Sequence, residues 1–149
     1  LPSNSDASLV HNDYKLDNLM VANDNPGEIV AVFDWDMCTL GDPLNDLGAL
    51  LSYWSEPTDP PFFKQASMMP TNEKFLTREQ LVERYAEKSG RDVSNIRFYH
   101  VLGFFRLVGI AAQIYIRFVQ GHTQDERFSA FGEMVPLVAR YAMGLTQAP

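Results

Sequence analysis

A mixed α+β fold, in which a small antiparallel β element packs on a mainly helical bundle, is what this sequence of 149 residues predicts. Two observations lead there. Up to about residue 42 the apolar residues come in short β-like runs, and beyond it they recur at helical spacing. A hydrophobic content of 46% is enough for one compact domain with a core, so residues 1–149 are read as a single unit.

The β element comes first. Leu9-Val10 is a short extended piece, Leu19-Met20-Val21-Ala22 a second and Ile29-Val30-Ala31-Val32-Phe33 a β-branched third. The turn formers Asn23-Asp24-Asn25-Pro26-Gly27 separate the last two and make a hairpin. If the hairpin is centred near Pro26, Ala22 faces Val30, Met20 faces Val32 and Asn18 faces Asp34. Period-two alternation then puts Asp34 and Asp36 on one face, with Phe33 and Trp35 on the other, towards the core.

Asp42-Pro43 offers an N-cap followed by proline at the first helical position, opening a helix to Trp54. A proline-rich loop runs from Glu56 to Asn72, and with Trp54 its stretch to Met69 is a candidate lid. Thr77 and Gln80 form a capping box for a helix to Ser89, stopped by Gly90. Ser94 caps a long helix to Gln120, closed by Gly121, and Asp125 starts a last one ending near Met143.

Composition narrows the function. A net charge of -7 without clustered Lys or Arg excludes a nucleic-acid footprint. The single cysteine, Cys38, has no internal partner; it reads as a small packing residue in a reducing, cytoplasmic compartment. The apolar stretch Val101 to Val119 is interrupted by Arg106, Gln113 and Arg117, and reads as a core helix, not a membrane span. The chain opens Leu1-Pro2-Ser3 without methionine or signal-peptide architecture, which reads as a piece of something longer.

The chemistry lies in two motifs. His11-Asn12-Asp13-Tyr14-Lys15-Leu16-Asp17-Asn18 has the pattern H-x-D-x-x-x-x-N between two short strands. Phosphoryl transfer to an alcohol needs a carboxylate to accept the hydroxyl proton and oxygen ligands to hold Mg²⁺ on the phosphates; Asp13 and Asn18 are those types at kinase-loop spacing. Phe33-Asp34-Trp35-Asp36 closes the third strand with two more carboxylates. Between His11 and Asp46 stand eight acidic residues and one basic residue, Lys15, a density that repels itself unless cations occupy it.

These residues resemble the aminoglycoside phosphotransferase and choline kinase-like superfamily, whose loop reads approximately H-G-D-x-x-x-x-N and whose metal strand reads I-D-W/F-E/G. Thr39-Leu40-Gly41-Asp42-Pro43-Leu44-Asn45-Asp46-Leu47 is similar to its G-D-P-x-x-D-L segment, and the wording looks most like the kinase-like domains associated with acyl-CoA dehydrogenases. The resemblance covers Val10 to Trp54 and, more loosely, the helices beyond.

It implies a protein-kinase-like C-terminal lobe, with the catalytic loop and metal strand in residues 9–46 and a helical subdomain in 43–145. It implies Asp13 as catalytic base, Lys15 as a phosphate-steadying lysine, and Asn18 and Asp34 as Mg²⁺ ligands. Asp36 is either a ligand of a second Mg²⁺ or paired with a neighbour. His11 and Asp46 hold the loop. Tyr99, Arg106, Tyr115 and Arg117 lie along the long helix where the superfamily shapes its acceptor pocket; Tyr99 and Arg106, seven apart, share a face, although core packing with a snorkelling arginine explains such residues too. His100 and His122 receive no role.

Two departures stand out. Asn12 stands where glycine is usual, and nothing upstream of His11 supplies a glycine-rich loop or a V-A-I-K-like strand to grip ATP. The implied function is Mg²⁺-dependent transfer of the ATP γ-phosphate to a hydroxyl of a small molecule, with the N-terminal lobe absent and the isolated fragment inactive. The rivals are a catalytically inactive kinase-like binding module and a metal-dependent phosphohydrolase, the latter without an H-x-H or D-x-D-x-T/V motif.

Overall fold

The computed structural model describes residues 7–66 and 73–147, with Pro2 and Thr71. Its strands are β1 (Ser8–Val10), β2 (Leu19–Val21), β3 (Ile29–Val32) and β4 (Thr39–Gly41); its helices are α1 (Leu44–Tyr53), α2 (Pro61–Ala66), α3 (Arg78–Ser89), α4 (Ile96–Val119) and α5 (Phe131–Gln147). Strands β2 and β3 form the expected hairpin, while β1 pairs antiparallel with β4, a strand the sequence reading did not assign. The two loops between these sheets, 11–18 and 33–38, are thereby carried to the same end of the β element.

The hairpin register differs by one residue from the expectation. Leu19 pairs with Val32 and Met20 with Ala31, and an irregularity follows before Val21 meets Ile29. Asn18 therefore lies opposite Phe33, whose amide donates to the Asn18 carbonyl at 2.8 Å, and not opposite Asp34. The alternation of Asp34 and Asp36 is also absent, because the strand stops at Val32 and a 3-10 turn occupies Trp35–Met37. Phe33 and Trp35 are about half exposed instead of facing the core. Cys38 is exposed as well, which removes the packing role expected for it.

Asp42 caps α1 as its sequence suggests: its Oδ1 accepts from the Leu44 amide at 2.8 Å, with Pro43 between them. The capping box of α3 is present, and Gly90 ends that helix at φ 67, the left-handed conformation that glycine adopts without steric cost. Ser94 does not cap α4. Its amide and hydroxyl are engaged by the Asp92 carboxylate at 2.8 and 3.0 Å, and the helix starts after Asn95 without a side-chain cap. Asp125 caps a 3-10 turn, Glu126–Ala130, that leads into α5. The proline-rich loop holds α2. Trp54 is buried with its indole bonded to the Leu76 carbonyl at 2.7 Å, unlike a lid residue, and residues 67–69 of the candidate lid lie outside the described residues.

Helix α4 is the spine. Leu44, Leu47 and Leu51 of α1 close around Tyr99, and Phe104 packs with Phe63 of α2 and Val138 and Ala142 of α5. α1 and α4 meet at two glycines: a Cβ on Gly48 would stand 2.3 Å from the Tyr99 carbonyl oxygen, and one on Gly103 2.6 Å from that of Gly48. Both obstacles are backbone, so no rotamer relieves them. Gly48→Ala is expected to lose about 3 kcal/mol by forcing the helices apart, read by urea denaturation. The same displacement disturbs Tyr99 and Arg106, which flank Gly103 by one turn on either side.

A buried ionic hub locks α3 to the rest. The Arg78 guanidinium grips Asp59 bidentately at 2.9 and 2.6 Å, meets Glu56 at 3.2 Å, and donates to the carbonyls of Leu51 and Trp54. Tyr141 of α5 donates to Asp59 at 3.1 Å, and the Arg78 guanidinium carbon lies 5.3 Å from the centre of the Phe63 ring. Burial would push the Asp59 carboxyl up, but the hydrogen bonds from Arg78 and the Glu56 amide hold it below the usual carboxylate value.

His100 sits nearby, against the Phe104 ring at 5.0 Å, with its Nε2 buried and unpartnered. Burial, assisted by Arg78, pushes this imidazole down from 6.5 to about 4. The fold therefore holds it neutral. Above pH 6.5 it carries no penalty; as pH falls from 6.5 to about 4 the unfolded chain takes up the proton first and stability is lost, levelling off below about 4. That difference is on the order of 3 kcal/mol. His100→Phe is expected to flatten this part of the pH profile, measured as urea midpoints between pH 4 and 7.

Candidate active site

The loop after β1 is built around His11 and Asp46. The Asp46 carboxylate, from the first turn of α1, accepts the consecutive amides of His11 and Asn12 at 2.8 and 2.7 Å. His11 is 2% exposed; its Nε2–H donates to the Phe33 carbonyl at 2.6 Å while Nδ1 accepts the Asp13 amide at 3.2 Å, which fixes the tautomer. Its ring packs on Trp35 with centroids 4.7 Å apart. One imidazole thus ties the 11–18 loop to the end of β3.

Asn12 is left-handed, at φ 65. Asparagine tolerates that region better than most side chains, which gives a physical account of its replacing glycine. The conformation is clamped on two sides: Asn12 Nδ2 donates to the Met37 carbonyl at 3.0 Å, and Arg106 donates to the Asn12 carbonyl at 2.7 Å. Arg106 therefore reaches the loop from α4. Tyr99 does not: it is 5% exposed, burial and its 2.6 Å hydrogen bond to Asp42 push its phenol up to about 12, and it belongs to the core. Of the two readings open for Tyr99 and Arg106, Tyr99 takes core packing, because the close glycine crossing of α1 and α4 seats it against α1.

Asp13 is where the loop converges. Lys15 Nζ lies 2.8 Å from its Oδ2, Asn18 Nδ2 lies 3.2 Å from the same oxygen and 2.8 Å from the Asp13 carbonyl, and the Tyr53 hydroxyl lies 3.4 Å from Oδ1. Burial opposes the Lys15 charge, yet the hydrogen bond to Asp13 together with the charges of Tyr53, Asp13 and Asp17 outweighs it and holds the ammonium above its ordinary value. Burial, then the Asp13 charge, pushes the Tyr53 phenol up. Lys15 also lies over the Tyr53 ring, 5.5 Å from its centre.

Asn18 is buried, and because its Nδ2 faces a backbone carbonyl, its amide oxygen is the atom left for another partner. Asp34 directly follows the residue bonded to Asn18 and is the second left-handed non-glycine residue, at φ 62, conformational strain of the kind that collects at functional sites. Asp36 lies on the exposed 3-10 turn beyond it. Among the described residues, no three His, Cys, Asp or Glu side chains converge as a ready-made metal cage. Beside Asp13 an open cleft is lined by Tyr53, Ser52, Arg106, Met37, Leu107 and Ile110, among others.

Residues 1–72 match the phosphotransferase enzyme family. The fold is that of a crystal structure from Ralstonia eutropha JMP134 assigned as an aminoglycoside phosphotransferase, with a TM-score of 0.72 and 28% identity over 93% of this chain and 43% of that one. The likeness to the phosphotransferase enzyme family lies in residues 1–72, the part that carries the catalytic loop. The sequence is 35% identical over 83% of its length to acyl-CoA dehydrogenase family member 11 of Mus musculus and 29% identical over 99% to the Homo sapiens protein of that name. Family member 10 of Mus musculus is 29% identical over 95% of the chain. The chain spans only 16%, 19% and 13% of these relatives.

Sequence reasoning missed Tyr53 and Met37. Tyr53 stands 40 residues from Asp13, and nothing in a linear pattern marks that approach. Arg78 was missed for the same reason. Interior glycines at 48 and 103 were the available signal for the α1–α4 crossing, because a glycine inside a helix needs a packing reason.

Proposed function

We propose that this chain carries the base and metal-binding side of an ATP- and Mg²⁺-dependent phosphotransferase that moves the nucleotide γ-phosphate to a hydroxyl of a small molecule in the cytoplasm. The observation that carries the reading is the convergence of Lys15, Asn18 and Tyr53 on Asp13 at the edge of an open cleft. The family match supports phosphotransfer in general.

Each residue then has a task. Asp13 accepts the proton of the acceptor hydroxyl as its oxygen bonds to the γ-phosphorus, while the bond from that phosphorus to the bridging oxygen breaks and the nucleoside diphosphate leaves. Tyr53 and Lys15 orient the carboxylate, and Lys15 reaches the transferred phosphate from the same place. Asp46, His11 and Arg106 hold the loop so that Asp13 does not reorganise during the reaction. The hard oxygens of Asn18 and Asp34 suit Mg²⁺, which binds through one or two carboxylates and keeps phosphate and water oxygens for its other positions; Asp36 is a further candidate ligand. Bound Mg²⁺ would neutralise phosphate charge. The cleft, with Arg106, Tyr53 and an apolar wall, would hold the acceptor.

The experiment is ³¹P NMR of the longer polypeptide containing this chain, with MgATP and a panel of hydroxylated acceptors. A new phosphate-ester resonance that appears with ADP supports the reading. ADP and inorganic phosphate alone would indicate hydrolysis, and unchanged ATP would favour the inactive binding module.

A further inference from the structure

The turn that carries Asp34 and Asp36 is anchored at both ends by two consecutive side chains. His11 Nε2 donates to the carbonyl of Phe33, the residue before Asp34, at 2.6 Å, and Asn12 Nδ2 donates to the carbonyl of Met37, the residue after Asp36, at 3.0 Å. The Asn12 amide cannot be reversed, because the Met37 carbonyl only accepts and the Arg106 guanidinium, 3.4 Å from Oδ1, only donates. One side chain therefore joins the Asp13 loop, the Asp34 turn and α4. The Asn12 backbone is committed separately: its amide donates to Asp46 and its carbonyl accepts from Arg106, both at 2.7 Å. A glycine at φ 65 would keep those two backbone contacts without steric cost and would lack only the bridge to Met37.

We propose that Asn12 is a positioning residue for the metal: its bridge to Met37 sets where the 33–37 turn, and with it the Asp34 carboxylate, stands relative to Asn18 and Asp13. The inference rests on the proposed function and deepens it by naming what aligns the two sides of the Mg²⁺ site. Asp34 is left-handed at φ 62 and its side chain caps no amide of the turn, so its conformation is imposed from the anchors at the ends. The His11 anchor is buried, whereas the Asn12 bridge is exposed beside the cleft. Water can replace much of the energy of an exposed hydrogen bond, but it cannot replace the geometry. The bridge therefore contributes little to stability and much to the placement of Asp34. Partners that orient a metal ligand in this way typically govern metal affinity by roughly 10–100-fold.

The test reads binding and needs no turnover. The longer polypeptide containing this chain is titrated into Mn²⁺-ATP and followed by water-proton relaxation enhancement, with ATP binding in EDTA measured by calorimetry and melting temperatures recorded without metal. Asn12→Gly and Asn12→Ala are both expected to weaken Mn²⁺-ATP binding about 10-fold and to leave metal-free ATP binding unchanged. Asn12→Gly melts close to the parent, while Asn12→Ala melts lower because alanine is strained in the left-handed region. Equal metal loss in two variants of unequal stability is what a merely structural role cannot produce. Parent-like Mn²⁺-ATP binding in both variants, a loss that tracks melting temperature and is larger for alanine than for glycine, or an equal loss of metal-free ATP binding would each overturn the proposal while leaving the proposed function standing. No enhancement with the parent, or the same enhancement with Asp34→Asn, would overturn both.

Discussion

Replacing Arg78 with methionine is expected to lower stability by about 3–5 kcal/mol, a large share of the roughly 5–15 kcal/mol that keeps a domain folded. The substitution keeps the length and apolar stem of the side chain, so the loss does not come from a cavity. It comes from what remains: Asp59, 6% exposed, loses both halves of a bidentate partner, Glu56 loses its ion pair, and two carbonyls at the end of α1 lose their donors. A buried carboxylate stripped of its cation is costly because water cannot reach it to take the cation's place. Asp59 must then be protonated or dragged towards solvent, and α3 is released from α1 and α5 together. The pH dependence has a definite sign. Because its folded carboxyl is held below 3.8, Asp59 contributes stability fully above that value and loses it as pH falls through the folded value, whereas in Arg78→Met this contribution is absent at all pH. Paired removal, Arg78→Met with Asp59→Leu, is expected to recover part of the loss; chemical denaturation of the two variants reads both numbers.

Asp13→Asn is expected to reduce kcat in the phosphate-ester assay by about 10²–10⁴, with little change in nucleotide KM. Asparagine keeps the shape and can still face Lys15, Asn18 and Tyr53, but it cannot take the proton of the acceptor. Lys15→Met tests the neighbouring role: loss of kcat with the acceptor KM unchanged assigns Lys15 to the transferred phosphate, whereas a loss confined to acceptor KM assigns it to orienting Asp13.

Much of this was legible in the sequence, for reasons that differ by element. The hairpin was marked by β-branched residues around Asn-Asp-Asn-Pro-Gly, and α3 by a capping box and a terminal glycine, because these are local signals that the backbone obeys. The register was read one residue away because its centre depends on how the turn from Asn23 to Gly27 bends and on the irregularity after Met20, neither of which residue types dictate. The conformation of Asp34 was hidden behind a pattern that looked like strand, since a left-handed aspartate is imposed by tertiary contacts. Ser94 lost its capping role to a competitor two residues upstream, Asp92, whose carboxylate takes the Ser94 amide directly. At the site, the motif spacing singled out Asp13, Asn18 and Asp34 as candidates, but the cleft wall from α1 and α4 became visible only when Gly48 and Gly103 brought those helices into contact.

The central claim is that Asn18 and Asp34 flank a Mg²⁺ site that serves a nucleotide beside Asp13, and a Mg²⁺ titration followed by thermal shift, with and without ATP, tests it most directly. The parent chain is expected to melt at a higher temperature as Mg²⁺ and ATP are raised together, and Asp34→Asn is expected to lose that response while melting like the parent without metal. Equal stabilisation of parent and variant, or none in either at millimolar Mg²⁺ with ATP, would contradict the account.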